Sequence, residues 1–517
     1  MMKSPLARFV QLPALSAIAG GSLLVVEIAA ARALAPVMGV SLYSWTAIIG
    51  LVLTGLAIGS WVGGALSDRH APRTLTVALA LGAGGAILAP LLIDLTPGIT
   101  LVPKTDVIGR TMLISAVVLT VPALALGAVV PALAALTVDD GRASGRSVGL
   151  IYASATAGNI VGVFATGFFL VEALGSRGAI VAAGGVLAGG VVLVAALDRS
   201  ARRLAMVSLI GIGAATGLGA PSIRGPCTWE SAYFCLQFIE EELIGGRTAR
   251  SVRLDRLVHG SVYVEDPTYL DPGYLRVMAD LTSTFTEPGT PLRTLQIGGG
   301  SYTLARYLEA SYPDGVIDVI EIDPMVTRFA SAYLGLRRET RVRSYNVDGR
   351  QFFLDGVNLP KYDVIYGDAF NDLSIPYHLT TREFVQTVSD ALSTDGIYMA
   401  NVIDLYWSGR FLRSFVATVQ TVFPHVAVAM DRGAWEYIRP DQAPLELEDD
   451  RRRTYVVVAS HHRLDFARLG RLNNDLNRVV PGEILSAYLA DERTVILTDD
   501  RAPVDLLVSP LFRARPF

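Results

Sequence analysis

Four short motifs in the second half of the chain place glycines and carboxylates where short apolar runs end. They are "IGGG" at 297–300, "EID" at 321–323, "VDG" at 347–349 and "YGDAFND" at 366–372. Glycine lets a backbone approach a ligand closely, and a carboxylate accepts hydrogen bonds from hydroxyl or amino groups. The motifs are therefore typical of a nucleoside-binding site with further acids beside it.

The spacing of the motifs predicts separate roles for the acids. Glu321 ends the apolar run that follows the glycines, about 20 residues after Gly298, which suits a carboxylate that accepts from both ribose hydroxyls. Asp348 is placed to accept from an adenine amino group. The glycine run matches neither the G-x-G-x-x-G of dinucleotide sites nor a Walker motif with its lysine. A sulfonium nucleoside without phosphate, such as S-adenosylmethionine or a relative, fits best.

The elements that position these residues alternate between short β-rich runs and helical segments. This rhythm predicts βαβ units in a doubly wound sheet, where ligands lie beyond the carboxyl ends of the strands. The fold class expected for residues 286–517 is α/β, a Rossmann-like nucleoside-binding catalytic domain of the S-adenosylmethionine-dependent methyltransferase type. A small β-rich linker and substrate-side subdomain is expected at 221–285.

The first 220 residues differ in composition and predict an all-α membrane domain. About 20 apolar residues cross a bilayer as a helix. Seven stretches meet this length, at 11–33, 43–65, 74–94, 111–136, 147–171, 177–197 and 204–220. We therefore expect a multi-pass transmembrane domain of about seven helices at 1–220, with the lipid bilayer as a partner.

Charge predicts how this domain is oriented. Residues 1–220 hold 13 Lys and Arg against 8 Asp and Glu, so the remainder of the chain is acidic and a poor partner for nucleic acid. The Lys and Arg of the predicted loops lie mostly on the side of the N-terminus, which is then cytoplasmic in the plasma (inner) membrane. After seven crossings the soluble half is exoplasmic, where Cys227 and Cys235 can form a disulfide. Against this, S-adenosyl cofactors are made in the cytosol.

The motifs occur in the order and spacing of the spermidine/spermine synthase family, the aminopropyltransferases, and the resemblance covers most of residues 225–510. The whole chain resembles the bacterial subgroup that joins seven membrane helices to this domain. The resemblance implies transfer of the aminopropyl group of decarboxylated S-adenosylmethionine to a small polyamine. Methylthioadenosine is released and no metal is needed.

The resemblance also assigns the site residues. It makes Asp368 the catalytic group that receives the proton of the attacking amine. The cofactor-binding residues are Gly298, Gly299, Gly300, Ser301, Glu321, Asp348 and Gly349. The expected substrate-binding residues are Asp372, Tyr274, Trp435 and Tyr437. His378 is either a capping residue or a second base.

One departure from the family keeps alternatives open. The family's "GGGDGG" is "GGGSYT" here, so Ser301 stands where an acid would contact the amine of the decarboxylated cofactor. Intact S-adenosylmethionine is then the alternative cofactor, with methyl or aminocarboxypropyl transfer. A non-catalytic accessory protein that binds polyamine or nucleoside is a further alternative. Under the leading interpretation, Ser301→Asp is expected to widen the preference for the decarboxylated form. The sequence leaves the acceptor amine and the oligomeric state open, a homo-oligomer included.

Overall fold

The computed structural model divides into two units, Met1–Cys235 and Leu236–Phe517. It describes residues 5–96, 107–138, 145–198, 201–243, 247–356, 359–369, 374–438, 450–467, 469, 477–491 and 493–512. The first unit is helical and has a continuous apolar core. The second unit is built around a large β-sheet.

Long apolar segments with few charges form the helices of the first unit. They are α1 (Pro5–Met38), α2 (Leu42–Leu95), α3 (Val107–Gly127), α4 (Val129–Val138), α5 (Gly145–Ala165), α6 (Val171–Leu197) and α7 (Arg202–Gly219). Small residues let these helices approach closely. A Cβ on Gly59 of α2, for example, would lie 2.1 Å from the carbonyl oxygen of Leu124 on α3.

The seven predicted apolar stretches fall into five helical runs in the described residues. Each run is long and apolar enough to cross a bilayer by length and composition. The second and third stretches share α2, whose backbone leaves helical geometry at His70 (φ −146°, ψ 51°). The fifth and sixth share the run Gly145–Ala196, with a break at Gly175 (φ 72°, ψ 164°). The all-helical character is confirmed, whereas helix length and composition do not fix seven membrane crossings.

The segment after α7 is fastened to the helical unit. Cys227 and Cys235 form the predicted disulfide. The guanidinium of Arg32 on α1 donates to the carbonyl oxygen of Ser231 at 2.8 Å and to that of Tyr233. The bridge and the arginine therefore hold this segment in one conformation.

The second unit begins with an antiparallel meander. Strand β1 (Trp229–Glu230) precedes it in the first unit, and the strands of the meander are β2 (Cys235–Leu243), β3 (Arg247–Leu254) and β4 (Leu257–Val262). Leu236 of β2 lies opposite Leu254 of β3, and Arg250 of β3 lies opposite Val262 of β4. These strands lie in the region 221–285, where a β-rich segment is expected.

An eight-stranded sheet forms the centre of the second unit. Its strands are β5 (Arg293–Ile297), β6 (Val316–Ile320), β7 (Val342–Tyr345), β8 (Tyr362–Gly367), β9 (Leu392–Leu405), β10 (His425–Asp431), β11 (Arg452–Ser460) and β12 (Asn477–Val479). Their order is β12-β10-β11-β9-β8-β5-β6-β7. Strands β5 to β9 are parallel, and the strands beyond β9 are antiparallel to their neighbours. The strand order reverses between β5 and β8, which is where open α/β sheets bind ligands.

Helices connect and cover these strands. They are α8 (Gly273–Phe285), α9 (Thr303–Ser311), α10 (Pro324–Tyr333), α11 (Gly349–Asp355), α12 (Arg382–Ala391), α13 (Phe411–Gln420), α14 (Arg432–Ile438), α15 (Gly482–Leu489) and α16 (Val504–Leu507). The alternation of parallel strands and helices makes this a Rossmann-like α/β domain of the methyltransferase type. The predicted fold class of the second half is confirmed.

Candidate active site

The glycine loop leaves β5 with a backbone that other residues adopt only with strain. Gly298 has φ 100° and Gly300 has φ 50°. A Cβ on Gly298 would lie 2.3 Å from the carbonyl oxygen of Asp368, so the loop passes directly against the end of β8. The glycines therefore allow the loop and Asp368 to meet at the carboxyl edge of the sheet.

Glu321, which directly follows β6, binds the backbone of the glycine loop through its side chain. Its Oε2 accepts from the N–H groups of Gly299 at 2.8 Å and Gly300 at 3.3 Å, and its Oε1 accepts from the N–H of Asp323 at 3.0 Å. Burial raises the pKa of the Glu321 carboxyl, and the three N–H groups act in the opposite direction. The carboxylate is thus fixed at the loop, and its contact with ribose hydroxyls stays a prediction.

The two residues after the glycines point into the protein. Ser301 is 3% exposed; its Oγ lies 2.6 Å from Oγ1 of Thr303 and 3.5 Å from the carbonyl oxygen of His259. Tyr302 has φ 58°, is fully buried and shares a hydrogen bond of 2.8 Å with Thr327. The serine hydroxyl is therefore occupied within the protein, and its contact with a cofactor stays a prediction.

Asp348 caps α11, which begins at Gly349. Its Oδ1 accepts from the N–H groups of Arg350 and Gln351, and its Oδ2 lies 2.9 Å from Nε2 of His378. Burial alone raises the pKa of Asp348, but the bonds from His378 and the backbone outweigh burial and lower it. The carboxyl is therefore ionised at neutral pH. His378, which the sequence leaves open between a cap and a base, is a partner of the predicted adenine-binding acid.

An apolar pocket adjoins Gly349. Ile297, Leu379, Phe384 and Tyr398 contribute to its lining. A Cβ on Gly349 would lie 2.9 Å from Cγ2 of Ile297 and 3.4 Å from Cδ2 of Leu379, so the start of α11 packs closely against this lining. The pocket is mainly apolar, and the contact of Asp348 with an adenine base stays a prediction.

Asp368, which follows β8, has two side-chain partners. Tyr274 of α8 donates its hydroxyl to Oδ2 at 2.9 Å, and Asn401 of β9 donates from Nδ2 to Oδ1 at 2.8 Å. Burial raises the pKa of Asp368 to about 6, while both hydrogen bonds act to lower it. The carboxyl is therefore mostly ionised at neutral pH and can accept a proton.

Sequence reasoning missed Asn401 and understated Tyr274. The sequence assigns Tyr274 only to substrate binding, whereas its hydroxyl donates directly to Asp368. The signal for Asn401 is a polar residue inside the apolar run "IYMANVI". Its own Oδ1 is buried and has no hydrogen-bond partner in the part of the chain that the structure describes.

The cleft beside Asp368 includes Tyr274, Asn401, Ile403 and Thr454 in its lining. Trp435 lies half-buried on α14 and is not among the described residues that line this cleft. Tyr437 also belongs to α14, but its side chain lies outside what the structure describes, as does the whole of Asp372. The substrate contacts of these three residues stay predictions. Within the described ranges, no three His, Cys, Asp or Glu side chains come together as metal ligands.

The sequence profile of the spermine/spermidine synthase domain matches residues 273–431, which contain the glycine loop and all the acids discussed above. The matched segment runs from the start of α8 to the end of β10, so the family resemblance is carried by this part of the second unit.

Curated polyamine aminopropyltransferases match this chain over part of their length. A polyamine aminopropyltransferase of Vibrio vulnificus (strain CMCP6) is 38% identical over 134 residues, which are 26% of this chain and 44% of that protein. A probable polyamine aminopropyl transferase of Bifidobacterium longum (strain NCC 2705) is 26% identical over 221 residues, 41% and 48% respectively. The chain thus spans less than half the length of these two relatives. The structure of a probable spermidine synthase from Corynebacterium glutamicum ATCC 13032 is 21% identical, with a TM-score of 0.43, and covers 50% of this chain and 92% of its own.

Proposed function

We propose that the second unit transfers the aminopropyl group of decarboxylated S-adenosylmethionine to a di- or polyamine and releases methylthioadenosine. The observation that carries the proposal is the Asp368 carboxylate, held by Tyr274 and Asn401 directly against the glycine loop. A protein that only binds polyamine or nucleoside has no need of a proton acceptor at this point. The match of residues 273–431 to the spermine/spermidine synthase domain supports a transferase.

The chemistry requires a base beside the sulfonium. An alkylammonium has a pKa of about 10, so the acceptor amine must lose a proton before its nitrogen can attack. Asp368 accepts that proton first, and the freed lone pair of the nitrogen then forms the new C–N bond at the methylene carbon next to sulfur. The C–S bond breaks at the same time, and its electron pair leaves with the sulfur of methylthioadenosine. A positioned base contributes about 10²- to 10⁴-fold to such a step.

The unpaired oxygen of Asn401 supports an amine as the molecule that receives the aminopropyl group. Its Nδ2 is committed to Asp368, so its buried Oδ1 is left without a donor in the described residues. A buried acceptor without a donor costs about 1–3 kcal/mol. An amine that reacts beside Asp368 carries N–H groups that can satisfy this oxygen. Glu321 and Asp348 serve the donor's ribose and adenine in the same proposal.

We also propose that the first unit is a seven-crossing anchor with a cytoplasmic N-terminus. An unbroken α2 of 54 residues would be about 80 Å long, whereas the apolar core of a bilayer is about 30 Å thick. The break at His70, next to Arg69 and Arg73, therefore divides α2 into two crossings with a positively charged turn inside. The break at Gly175 separates two further crossings. The seventh helix then delivers the disulfide and the catalytic unit to the exoplasmic side.

A second candidate function is transfer from intact S-adenosylmethionine, either of its methyl or of its aminocarboxypropyl group. The observation that favours it is the absence of an acid at Ser301, whose hydroxyl is engaged with Thr303. A loop without that acid repels the carboxylate of the intact cofactor less strongly.

The proposal is tested with the full-length purified chain, decarboxylated S-adenosylmethionine and a panel of diamines and triamines. Methylthioadenosine and an aminopropylated amine should appear together. Asp368→Asn is the matched control and should still bind methylthioadenosine while losing most of the turnover. Transfer to none of the amines, with methylthioadenosine bound normally, would contradict the proposal and leave either transfer from intact S-adenosylmethionine or a binding protein.

A further inference from the structure

Gln296 is a polar residue in the middle of the central buried strand. It lies on β5, two residues before Gly298, is 2% exposed, and is flanked by buried Leu295 and Ile297. Its Nε2 donates to the carbonyl oxygen of Gly298 at 2.8 Å. Its Oε1 is buried and has no hydrogen-bond partner among the residues that the structure describes.

The orientation of this amide follows from its one hydrogen bond. A carbonyl oxygen can only accept, so the group that faces Gly298 must be the NH₂ of Gln296. The oxygen of the amide is then left as a buried acceptor that lacks a donor. Unpaired buried acceptors are rare in folded proteins, and a ligand or water that donates to them is the usual explanation.

The register of the sheet places Gln296 on the same face as the catalytic groups. Gln296 lies beside Tyr366 of β8, and Tyr366 lies beside Met399 of β9. Asp368 and Asn401 follow these two partners by two residues, and side chains two residues apart in a strand share a face. The hydroxyl of Tyr366 bonds Thr282 of α8 at 2.7 Å, so α8 covers this face and also supplies Tyr274.

The hydrogen bond to Gly298 also fixes how far the amide of Gln296 extends along the strand direction. Gly298 lies against the backbone of Asp368, so the amide of Gln296 lies near the carboxyl edge of the sheet. Two unpaired oxygens, Oε1 of Gln296 and Oδ1 of Asn401, thus share one face and one edge of the sheet with Asp368. Two buried oxygens without a donor among the described residues match a ligand that carries N–H groups.

We propose that Oε1 of Gln296 accepts a hydrogen bond from the ammonium on the donor's three-carbon tail. This rests on the proposed aminopropyl transfer and assigns the tail's binding group within it. Ser301 cannot supply this contact as a charge, and its hydroxyl is occupied by Thr303. Gln296 is then a specificity-determining residue that compensates for the missing acid with a neutral acceptor.

The test compares two ligands on one protein. Decarboxylated S-adenosylmethionine has the ammonium, and methylthioadenosine shares the nucleoside but lacks it. Gln296→Met removes both hydrogen bonds of the amide at nearly constant volume. Loss of the bond to Gly298 affects both ligands alike, so the ratio of the two affinities isolates the contact of Oε1. Binding is measured by calorimetry on the full-length chain.

We expect Gln296→Met to lower the affinity for decarboxylated S-adenosylmethionine about tenfold or more relative to that for methylthioadenosine, the scale for a hydrogen bond to a charged group. Gln296→Glu should restore or exceed the wild-type ratio, because its carboxylate again accepts from the ammonium. The control Tyr366→Phe removes a buried hydrogen bond on the same face and should leave the ratio within about twofold.

Two results would overturn the assignment. The first is an unchanged ratio of the two affinities in Gln296→Met; if both affinities fall equally, the residue only supports the loop. The second is a wild type that does not prefer the ligand with the ammonium. Wild-type protein that shows the preference but transfers nothing to any amine would contradict the proposed function instead, and the ratio would still decide the role of Gln296.

Discussion

Among single residues, Asp368 matters most, because the proposed reaction depends on its protonation state. Burial raises the pKa of this carboxyl to about 6, so it is protonated below that pH and free to accept a proton above it. We expect kcat/KM to fall as the pH decreases through about 6. Measurement of the pH profile with a saturating nucleoside donor checks this, and an acidic limb below pH 5 would show that another group sets it.

Asp368→Asn should lower turnover by about 10²-fold or more, because it removes the positioned base. The folded pKa of Asp368 lies above the unfolded value of about 3.9, so its ionisation costs stability as the pH rises through about 6. The variant should therefore be no less stable than wild type at neutral pH. Thermal unfolding and steady-state kinetics on the same preparation check both points. Near-normal turnover would remove Asp368 from the mechanism.

Tyr274→Phe should move the acidic limb to higher pH. The tyrosine hydroxyl donates to Asp368 and stabilises its ionised form, so its loss raises the pKa of that carboxyl further. Asn401→Leu should act in the same direction, since Asn401 donates to the other oxygen. If kcat/KM falls in both variants while the pH midpoint of the acidic limb stays unchanged, these residues only shape the cleft.

Glu321→Gln should weaken the binding of methylthioadenosine before it affects chemistry. The carboxylate accepts from the N–H groups of Gly299 and Gly300, and a neutral amide that presents its NH₂ there would face two donors. Calorimetric titration with methylthioadenosine measures the effect. Unchanged affinity would show that neither the loop nor the ribose depends on this acid.

At the scale of elements, the loop after β5 is packed against β4. Gly260 of β4 has φ 144°, and a Cβ there would lie 2.1 Å from Oγ of Ser301. Ser301→Asp therefore inserts a charge into a buried contact rather than into the ligand space. Contrary to the expectation from sequence, this replacement should lower the affinity for both decarboxylated S-adenosylmethionine and methylthioadenosine at least tenfold.

Ser301→Ala is the matched control for this replacement, since it removes only the hydroxyl and should cost less than about tenfold. Titration of both variants with decarboxylated S-adenosylmethionine and methylthioadenosine decides. If Ser301→Asp tightens only the ligand with the ammonium, position 301 faces the donor's tail after all.

The sequence predicted the elements of the second unit well, since strand ends marked by Gly298, Glu321 and Asp368 carry a local pattern. It did not predict Asn401 or Gln296 as parts of the site. Their importance comes from neighbouring strands that are distant in sequence, since only the register of β5, β8 and β9 puts them on one face. Nor did it show that Ser301 turns toward β4, because that depends on a contact between residues 42 positions apart in the chain.

At the scale of the whole molecule, the disulfide and the charge pattern predict an exoplasmic second unit. Both native cysteines are bridged, so an introduced cysteine is the reactive one. Asp314→Cys, at an exposed turn, should react with an impermeant maleimide in intact cells. Arg69→Cys, at the break of α2, is the matched control and should react only after lysis. The reverse pattern would place the catalytic unit in the cytosol and make the charge argument wrong.

The proposed function is defined by the group that is transferred to the amine. One competition measurement identifies that group directly. The full-length chain receives equal amounts of decarboxylated and intact S-adenosylmethionine with a single diamine, and mass spectrometry identifies the modified amine. We expect the aminopropylated amine as the main product, formed together with methylthioadenosine, and we expect its formation to be lost in Asp368→Asn. A methylated or aminocarboxypropylated amine as the main product would contradict it.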